Sequence, residues 1–143
     1  MLDTEELQAH VDQLVQDYTI RNTRSKALFD QAHRSMPGGN TRTGVYFSPF
    51  PVYLDWGKGP IVHDVDGHTL LDFMNNNTAL ILGHAHPVVV DAVRHQVSRG
   101  TGFNRPTELE IVMAEMLCQR IPSVESVRFC NSGTEAIICA LRV

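Results

Sequence analysis

The sequence has few of the features that mark membrane or secreted proteins. No apolar run comes near the roughly 18 residues that a bilayer-spanning helix needs. The N-terminus is acidic, whereas a secretory signal begins with basic and then apolar residues. The 3 cysteines include no CxxC pair, and their odd number argues against a disulfide framework. We therefore expect a cytoplasmic protein with reduced thiols and no membrane partner.

Excess positive charge is also absent. The chain has 12 basic and 16 acidic residues, which leaves a formal charge of −4 and gives no support for a nucleic-acid-binding surface. Its 143 residues, 43% hydrophobic and 20% charged, are typical of a folded domain rather than a disordered or fibrous chain. The composition indicates an ordinary globular protein with a real core.

Helix signals occur in the first third of the chain and again beyond residue 83. Asp3 and Glu6 are spaced to cap a first helix, and a second helical pattern ends at Pro37–Gly39. Thr107 and Glu110 have the spacing of a capping box, in which each side chain bonds the other residue's free amide. A further helix follows Pro87, and apolar residues at helical spacing predict core-facing stripes: Val89, Val93 and Val97, then Leu109, Val112, Met113, Met116 and Leu117.

Strand signals surround an Asp66–Gly67 pair. Residues 52–56 form a short β-rich run, and residues 61–65 face residues 68–73 across the pair. Such a pair predicts a type I′ hairpin, in which both central residues have positive φ. Later, residues 127–130 alternate like a strand and lead through a polar turn into a helix, which is the unit of an α/β protein. Cys130 is expected to behave as a small buried hydrophobe.

The turn between that strand and helix carries Ser132, Gly133 and Thr134. Free amides at a helix N-terminus point outward, and the helix dipole adds positive character, so a phosphate group suits the position. Glycine allows close backbone approach, and the two hydroxyls add donors. The segment is neither GxxxxGK[ST] nor GxGxxG. An ordinary helix cap is the alternative interpretation.

These segments together resemble a known family. The sequence VRFCNSGTEA, which contains Ser132, Gly133 and Thr134, is similar to the phosphate cup of class III aminotransferases, which use pyridoxal 5′-phosphate (PLP). The resemblance extends over almost the whole chain from about residue 30. The other segments that carry it are MPGGNTR, DVDGHTLLDF, LGHAHPVVVDAV and PTELEIVMAEM, in the family's order. The branch includes glutamate-1-semialdehyde 2,1-aminomutase and β-amino-acid transaminases.

The resemblance implies specific site residues. Ser132, Gly133 and Thr134 would hold the PLP phosphate, and Arg42 would bind the carboxylate of an amino acid or keto acid substrate. A guanidinium suits that role because it can bond both carboxylate oxygens. The alternative for Arg42 is a solvated loop arginine. The short PGGNTR segment and Asn75–Asn77 depart from the aminomutase pattern, and the PGGNTR form resembles β-amino-acid transaminases more closely.

The resemblance also implies what the chain does not carry. The family's catalytic lysine, which forms a Schiff base with PLP, lies downstream of the phosphate cup, and neither Lys26 nor Lys58 matches its position. We therefore expect a truncated chain without catalytic residues, inactive alone. His84 and His86 lack the additional ligands of a zinc site, so no metal is expected.

The expected fold is α/β, of fold type I of the PLP-dependent transferases. Residues 1–82 would form a helical arm and hairpin, and residues 83–143 would begin the large PLP-binding domain of a homodimer. The complete enzyme would transfer amino groups. The alternatives are an aminomutase-type isomerase and a non-catalytic truncated product.

Overall fold

The computed structural model describes residues 3–142 and shows two compact units. One unit ends at Val93 and the other begins at Arg94. The division predicted from the sequence, between residues 82 and 83, stays a prediction. None of the described helices combines the length and apolar character that crossing a membrane requires.

Two consecutive helices open the first unit. Helix α1 covers Thr4–Arg21 and begins with the predicted Asp3–Glu6 capping box. Helix α2 covers Thr23–Ala32. Between them, Asn22 leaves helical geometry, and its side-chain amide donates to the Tyr18 carbonyl at 2.8 Å. This bond satisfies a carbonyl at the end of α1. Short 3₁₀ turns follow at Pro37–Gly39 and Thr43–Val45.

A three-stranded antiparallel sheet follows, in the order β1–β2–β3. Strand β1 covers Leu54–Lys58, β2 covers Ile61–Asp64 and β3 covers Thr69–Leu71. The predicted pairing of β2 with β3 is confirmed, with Ile61 opposite Leu71 and His63 opposite Thr69.

The predicted turn type of this hairpin is wrong. A type I′ turn needs positive φ at both Asp66 and Gly67, but only Gly67, at 93°, has it. The Asp64 carboxylate explains the difference, because its Oδ1 accepts the backbone N–H groups of Asp66 at 3.0 Å and His68 at 2.8 Å. Those bonds fix a loop that is longer than the two-residue type I′ turn.

The core of the first unit includes Phe50, which lies in the segment before β1 with its ring near the rings of Tyr18 in α1 and Phe29 in α2. Phe50 is 1% exposed, and its ring centroid lies 5.0 Å from that of Tyr18. The Tyr18 hydroxyl donates to the Phe50 carbonyl at 2.8 Å. Ala32, Pro51 and Val62 are also buried.

A buried polar contact ties α2 to the hairpin. Ser25 is fully buried, and its hydroxyl donates to the Asp66 carboxylate while accepting from the Tyr53 amide. Asp66 also accepts the backbone N–H groups of Arg24 and Ser25, at 2.7 and 3.1 Å. A hairpin-loop carboxylate therefore caps the first turn of α2, where the helix dipole favours negative charge.

A left-handed turn, α3, covers Asn75–Thr78. The φ angles of its four residues run from 47° to 68°. Left-handed backbone costs roughly 1–2 kcal/mol per non-glycine residue, although asparagine tolerates it better than most. Three of the four residues are asparagine, which is the local reason that the sequence accepts this conformation.

Three right-handed helices complete the described chain. Helix α4 covers Pro87–Val97, α5 covers Glu108–Arg120 and α6 covers Gly133–Ala140. The predicted capping box of α5 is confirmed, because the Thr107 amide donates to Glu110 Oε1 at 2.8 Å. The apolar stripes predicted to face a core are largely solvent-exposed, at Val89, Val93, Val97, Leu109, Val112, Met113 and Met116.

The strand predicted at residues 127–130 is not found. These residues belong to no sheet, because no other strand pairs with them in the part of the chain that the structure describes. A strand needs a ladder partner as well as an alternating sequence.

Candidate functional site

The predicted phosphate cup is the turn that begins α6. Ser132 has extended backbone angles, and its Oγ accepts the Glu135 amide at 3.2 Å. Glu135 in turn accepts the Asn131 amide through Oε2 at 2.8 Å. These two bonds fix the turn and cap the helix. The ordinary helix cap and the phosphate cup are thus the same local structure, and the cap leaves other donors free.

The remaining donors of the cup suit an anion. Within residues 3–142, the backbone N–H groups of Ser132, Gly133 and Thr134 have no hydrogen-bond partner. A Cβ placed on Gly133 would meet nothing within 4 Å, so the surface beside the turn is open. The Ser132 hydroxyl accepts one bond and keeps its proton for donation. These residues therefore fit the phosphate group of PLP, and their assignment as its ligands stays a prediction.

Arg42 lies in the first unit, in the loop after the Pro37–Gly39 turn. Its amide is held by the Asn40 side chain at 3.0 Å, and its carbonyl accepts the Val45 amide at 3.1 Å. Arg42 borders a cavity of about 610 Å³ that is also lined by Phe29, His33, Pro37, Gly38, Asn40, Thr41 and Tyr46. The backbone of Arg42 is therefore fixed beside a cavity with aromatic walls.

Asp72 and His84 form a junction that was not predicted from the sequence. Asp72 Oδ2 lies 2.6 Å from His84 Nε2, and Asp72 Oδ1 accepts the backbone N–H groups of Met74 and Asn75, each at 2.9 Å. The hydrogen bond from His84, with those from the two amides, lowers the pKa of Asp72. The junction joins the end of β3, the start of α3 and the Gly83–His84 segment. The sequence signals for it are Asp72, near the end of the predicted strand at residues 68–73, and His84 in the segment LGHAHPVVVDAV.

The acidic residues of the hairpin are structural ligands of the backbone. Burial raises the pKa of Asp64, but the side-chain and backbone hydrogen bonds from His68 outweigh it, and the net pKa is lowered. Burial likewise raises the pKa of Asp66, and the hydrogen bonds from Ser25 and Arg24 reverse the shift. Both carboxylates are satisfied by neighbours within the fold, as expected of turn residues.

His84 and His86, the two candidate metal ligands, lie in different environments. His84 bonds Asp72, whereas the Nδ1 atom of His86 is buried and has no hydrogen-bond partner within residues 3–142. No group of three or more metal-ligating side chains occurs among the described residues. Of the two lysines, Lys26 pairs with Asp30 at 2.6 Å along α2, and Lys58 ends β1.

Known proteins similar to this chain share its fold. Glutamate-1-semialdehyde 2,1-aminomutase 2 from Exiguobacterium sp. is 44% identical over 128 residues, which are 87% of this chain and 30% of that protein. An omega-transaminase from Sphaerobacter thermophilus is 51% identical with a TM-score of 0.80, over 82% of this chain and 27% of that one. A transaminase solved with PLP bound is 50% identical with a TM-score of 0.82, over 85% of this chain and 28% of that one.

The chain therefore spans about 30% of the length of the curated relative. The similarity to solved transaminases confirms the predicted fold, fold type I of the PLP-dependent transferases. The model of the family "Aminotransferase class-III" matches residues 45–143, which include the Asp72–His84 junction and the cup. The match extends over more than half of the sequence, and the chain belongs to the class III aminotransferase family.

Proposed function

We propose that the protein to which this chain belongs transfers amino groups with PLP, and that this chain supplies the phosphate cup. The observation that carries the proposal is the set of free amides at Ser132, Gly133 and Thr134, beside an open surface at the start of α6. Family membership and the PLP-bound transaminase, which is 50% identical, support the same cofactor.

The cup would hold the phosphate through the three amides and the hydroxyls of Ser132 and Thr134. The positive end of the α6 dipole strengthens each of these bonds, because it faces a dianion. The Asn131–Glu135 bond keeps the turn in shape before binding, so little conformational entropy is lost on binding. PLP, when bound, supplies the electron-withdrawing ring and carries the amino group between substrates.

Arg42 would bind the substrate carboxylate. Its backbone is fixed by Asn40 and Val45, and the residue borders a cavity whose walls include Phe29 and Tyr46. A guanidinium can form two parallel bonds to one carboxylate, which orients an amino acid or keto acid. The aromatic walls would contact the apolar part of that substrate.

Intramolecular amino transfer, as in an aminomutase, is the second candidate function. It is favoured by the 44% identity to the Exiguobacterium aminomutase. Intermolecular transfer is favoured by the 51% identity to the Sphaerobacter transaminase, and we take it as the main proposal. We further propose that the whole protein is a cytoplasmic homodimer whose substrates are small amino and keto acids.

The cup can be tested in a chimera in which this chain replaces the matching 27% of the Sphaerobacter transaminase. We expect Thr134→Ala to weaken PLP binding by about 1–3 kcal/mol, the cost of one hydrogen bond to a charged group. Thr134→Ser keeps the hydroxyl and should bind PLP normally. Gly133→Val should lose the cofactor, because its side chain would fill the open surface.

Thr107→Ala is the control, since Thr107 is the N-cap residue of α5 as Ser132 is of α6, and it lies outside the cup. It should lower helix stability and leave the PLP dissociation constant unchanged. Unaltered PLP binding in both Thr134→Ala and Gly133→Val would refute the cup.

The Arg42 role is tested in the same chimera by steady-state kinetics. Arg42→Ala should leave PLP retention unchanged and raise KM, most strongly for substrates with a free carboxylate. Arg42→Lys should restore the activity only in part, since an ammonium group cannot form the two-pronged pair. If Arg42→Ala affects an amino acid and its decarboxylated amine equally, Arg42 is a solvated loop residue.

A further inference from the structure

Two cysteines of the second unit are in contact beside the cup. Cys130 immediately precedes the turn, and Cys139 lies near the end of α6. The Cys130 thiol donates a hydrogen bond to Cys139 Sγ at an S–S distance of 3.9 Å. Both side chains are only partly buried, contrary to the expectation that Cys130 is a buried hydrophobe.

Small solutes can reach this thiol pair. Both sulfur-bearing residues line a cavity of about 430 Å³, together with Arg128, Ala136, Ala140 and Arg142. Burial raises the pKa of the Cys130 thiol, and its hydrogen bond to Cys139 adds to the shift. Cys130 thus keeps its proton while Cys139 accepts the bond, which makes Cys139 the sulfur better placed to attack an electrophile.

We propose that Cys130 and Cys139 form a redox-active dithiol that a low-molecular-weight disulfide converts into a reversible intramolecular disulfide. Cys139 loses its proton to solvent and attacks one sulfur of the oxidant, which breaks the S–S bond and releases a thiolate that takes up a proton to become one thiol. Cys130 then loses its proton to solvent and attacks Cys139 Sγ, which forms the Cys130–Cys139 bond and releases the second thiol. Two protein thiols are oxidised, and one disulfide is reduced to two thiols.

The cross-link would span the cup. It joins the residue before Asn131 to a residue near the end of α6, so the free amides of Ser132, Gly133 and Thr134 lie inside the closed loop. Closing a loop removes open conformations from the ensemble. Opening of the cup should therefore be less frequent in the oxidised chain. This inference rests on the thiol geometry and holds whether or not the cup binds PLP.

The test uses the 143-residue chain treated with glutathione disulfide, with Cys118 as the internal control. Cys118 lies on α5 and outside the cavity lining. We expect the intact mass to fall by about 2 Da, the mass of two hydrogen atoms, with Cys118 alone open to alkylation. Dithiothreitol should restore the mass, and Cys118→Ser should behave as the parent. Amide hydrogen exchange at residues 131–135 should slow on oxidation.

Cys139→Ser and Cys130→Ser complete the test, because each leaves one sulfur of the pair. Cys130→Ser should stop at the mixed disulfide, a gain of one glutathione, because Cys139 has no second thiol to displace it. Cys139→Ser should react with glutathione disulfide more slowly than Cys130→Ser does. Peptide mapping that finds Cys118 in the disulfide, or an unchanged parent mass, overturns the proposal. Equal reaction rates in the two single variants would overturn the role of Cys139 as the attacking sulfur.

Discussion

Replacing Gly83 by alanine tests the junction between the sheet and the segment that enters α4. Gly59 and His84 exchange two backbone hydrogen bonds, with N–O distances of 2.8 and 2.9 Å. Gly83 precedes His84 with a φ of 75°, and a Cβ on it would lie 2.8 Å from the Gly59 carbonyl oxygen. The Gly59 carbonyl carbon and Cα would be almost as close, at 2.9 and 3.0 Å. Backbone atoms cannot rotate away as a side chain can.

The expected cost has two parts. Left-handed backbone costs alanine roughly 1–2 kcal/mol, and the overpacked contact adds about 1–3 kcal/mol. Gly83→Ala should therefore lower the free energy of unfolding by about 2–5 kcal/mol. Gly59→Ala is the matched control, because Gly59 also has positive φ, at 56°, but a Cβ there meets nothing within 4 Å. Gly59→Ala should lower the free energy of unfolding only by the backbone part, roughly 1–2 kcal/mol.

Urea denaturation followed by the fluorescence of Trp56, the single tryptophan, measures both variants. Trp56 lies in β1, where its ring stacks on His63 with centroids 3.9 Å apart, so its emission reports on the sheet. A Gly83→Ala value within about 0.5 kcal/mol of the Gly59→Ala value would refute the reasoning, because the contact would then contribute nothing beyond backbone strain. NMR of His84 should show its imidazole displaced only in Gly83→Ala.

Three further predictions concern the first unit and use the same urea measurement. Ser25→Ala should lower the free energy of unfolding by about 1–3 kcal/mol, because it removes the hydroxyl that bonds both the Asp66 carboxylate and the Tyr53 amide. An unchanged urea midpoint would contradict this. Thr78→Gly should raise the free energy of unfolding by up to about 1 kcal/mol, because glycine adopts the left-handed φ of 68° without strain, although it loses more backbone entropy on folding. A lower free energy of unfolding would contradict backbone strain at Thr78. Because the pKa of Asp64 is lowered on folding, its contribution is complete above the unfolded pKa of about 3.9 and is lost as the pH falls through the lower folded pKa. Asp64→Asn should therefore flatten the loss of stability as the pH falls below about 4, and a slope equal to the parent's would exclude Asp64 as its source.

The sequence by itself determined the local features of this protein. The capping boxes at Asp3 and Thr107 formed as predicted, because a cap depends on residues three positions apart. The β2–β3 pairing also followed from its sequence pattern. The family was identifiable from motifs in order, and the cup turn from the Ser132–Thr134 segment at which a helix begins.

Only the tertiary structure decided features that join distant residues. The loop after β2 is held by the Arg24 and Ser25 amides and the Ser25 hydroxyl, which bind Asp66 from α2, as well as by the neighbouring Asp64 carboxylate, so the two-residue rule predicted the wrong turn type. The contacts between Asp72 and His84 and between Cys130 and Cys139 depend on where the chain folds back, which no local pattern states. The alternating sequence at residues 127–130 likewise could not predict the structure by itself, because a strand requires a partner strand to accept its hydrogen bonds. Local hydrogen bonds follow from neighbouring residues, whereas side-chain clusters follow from packing between elements.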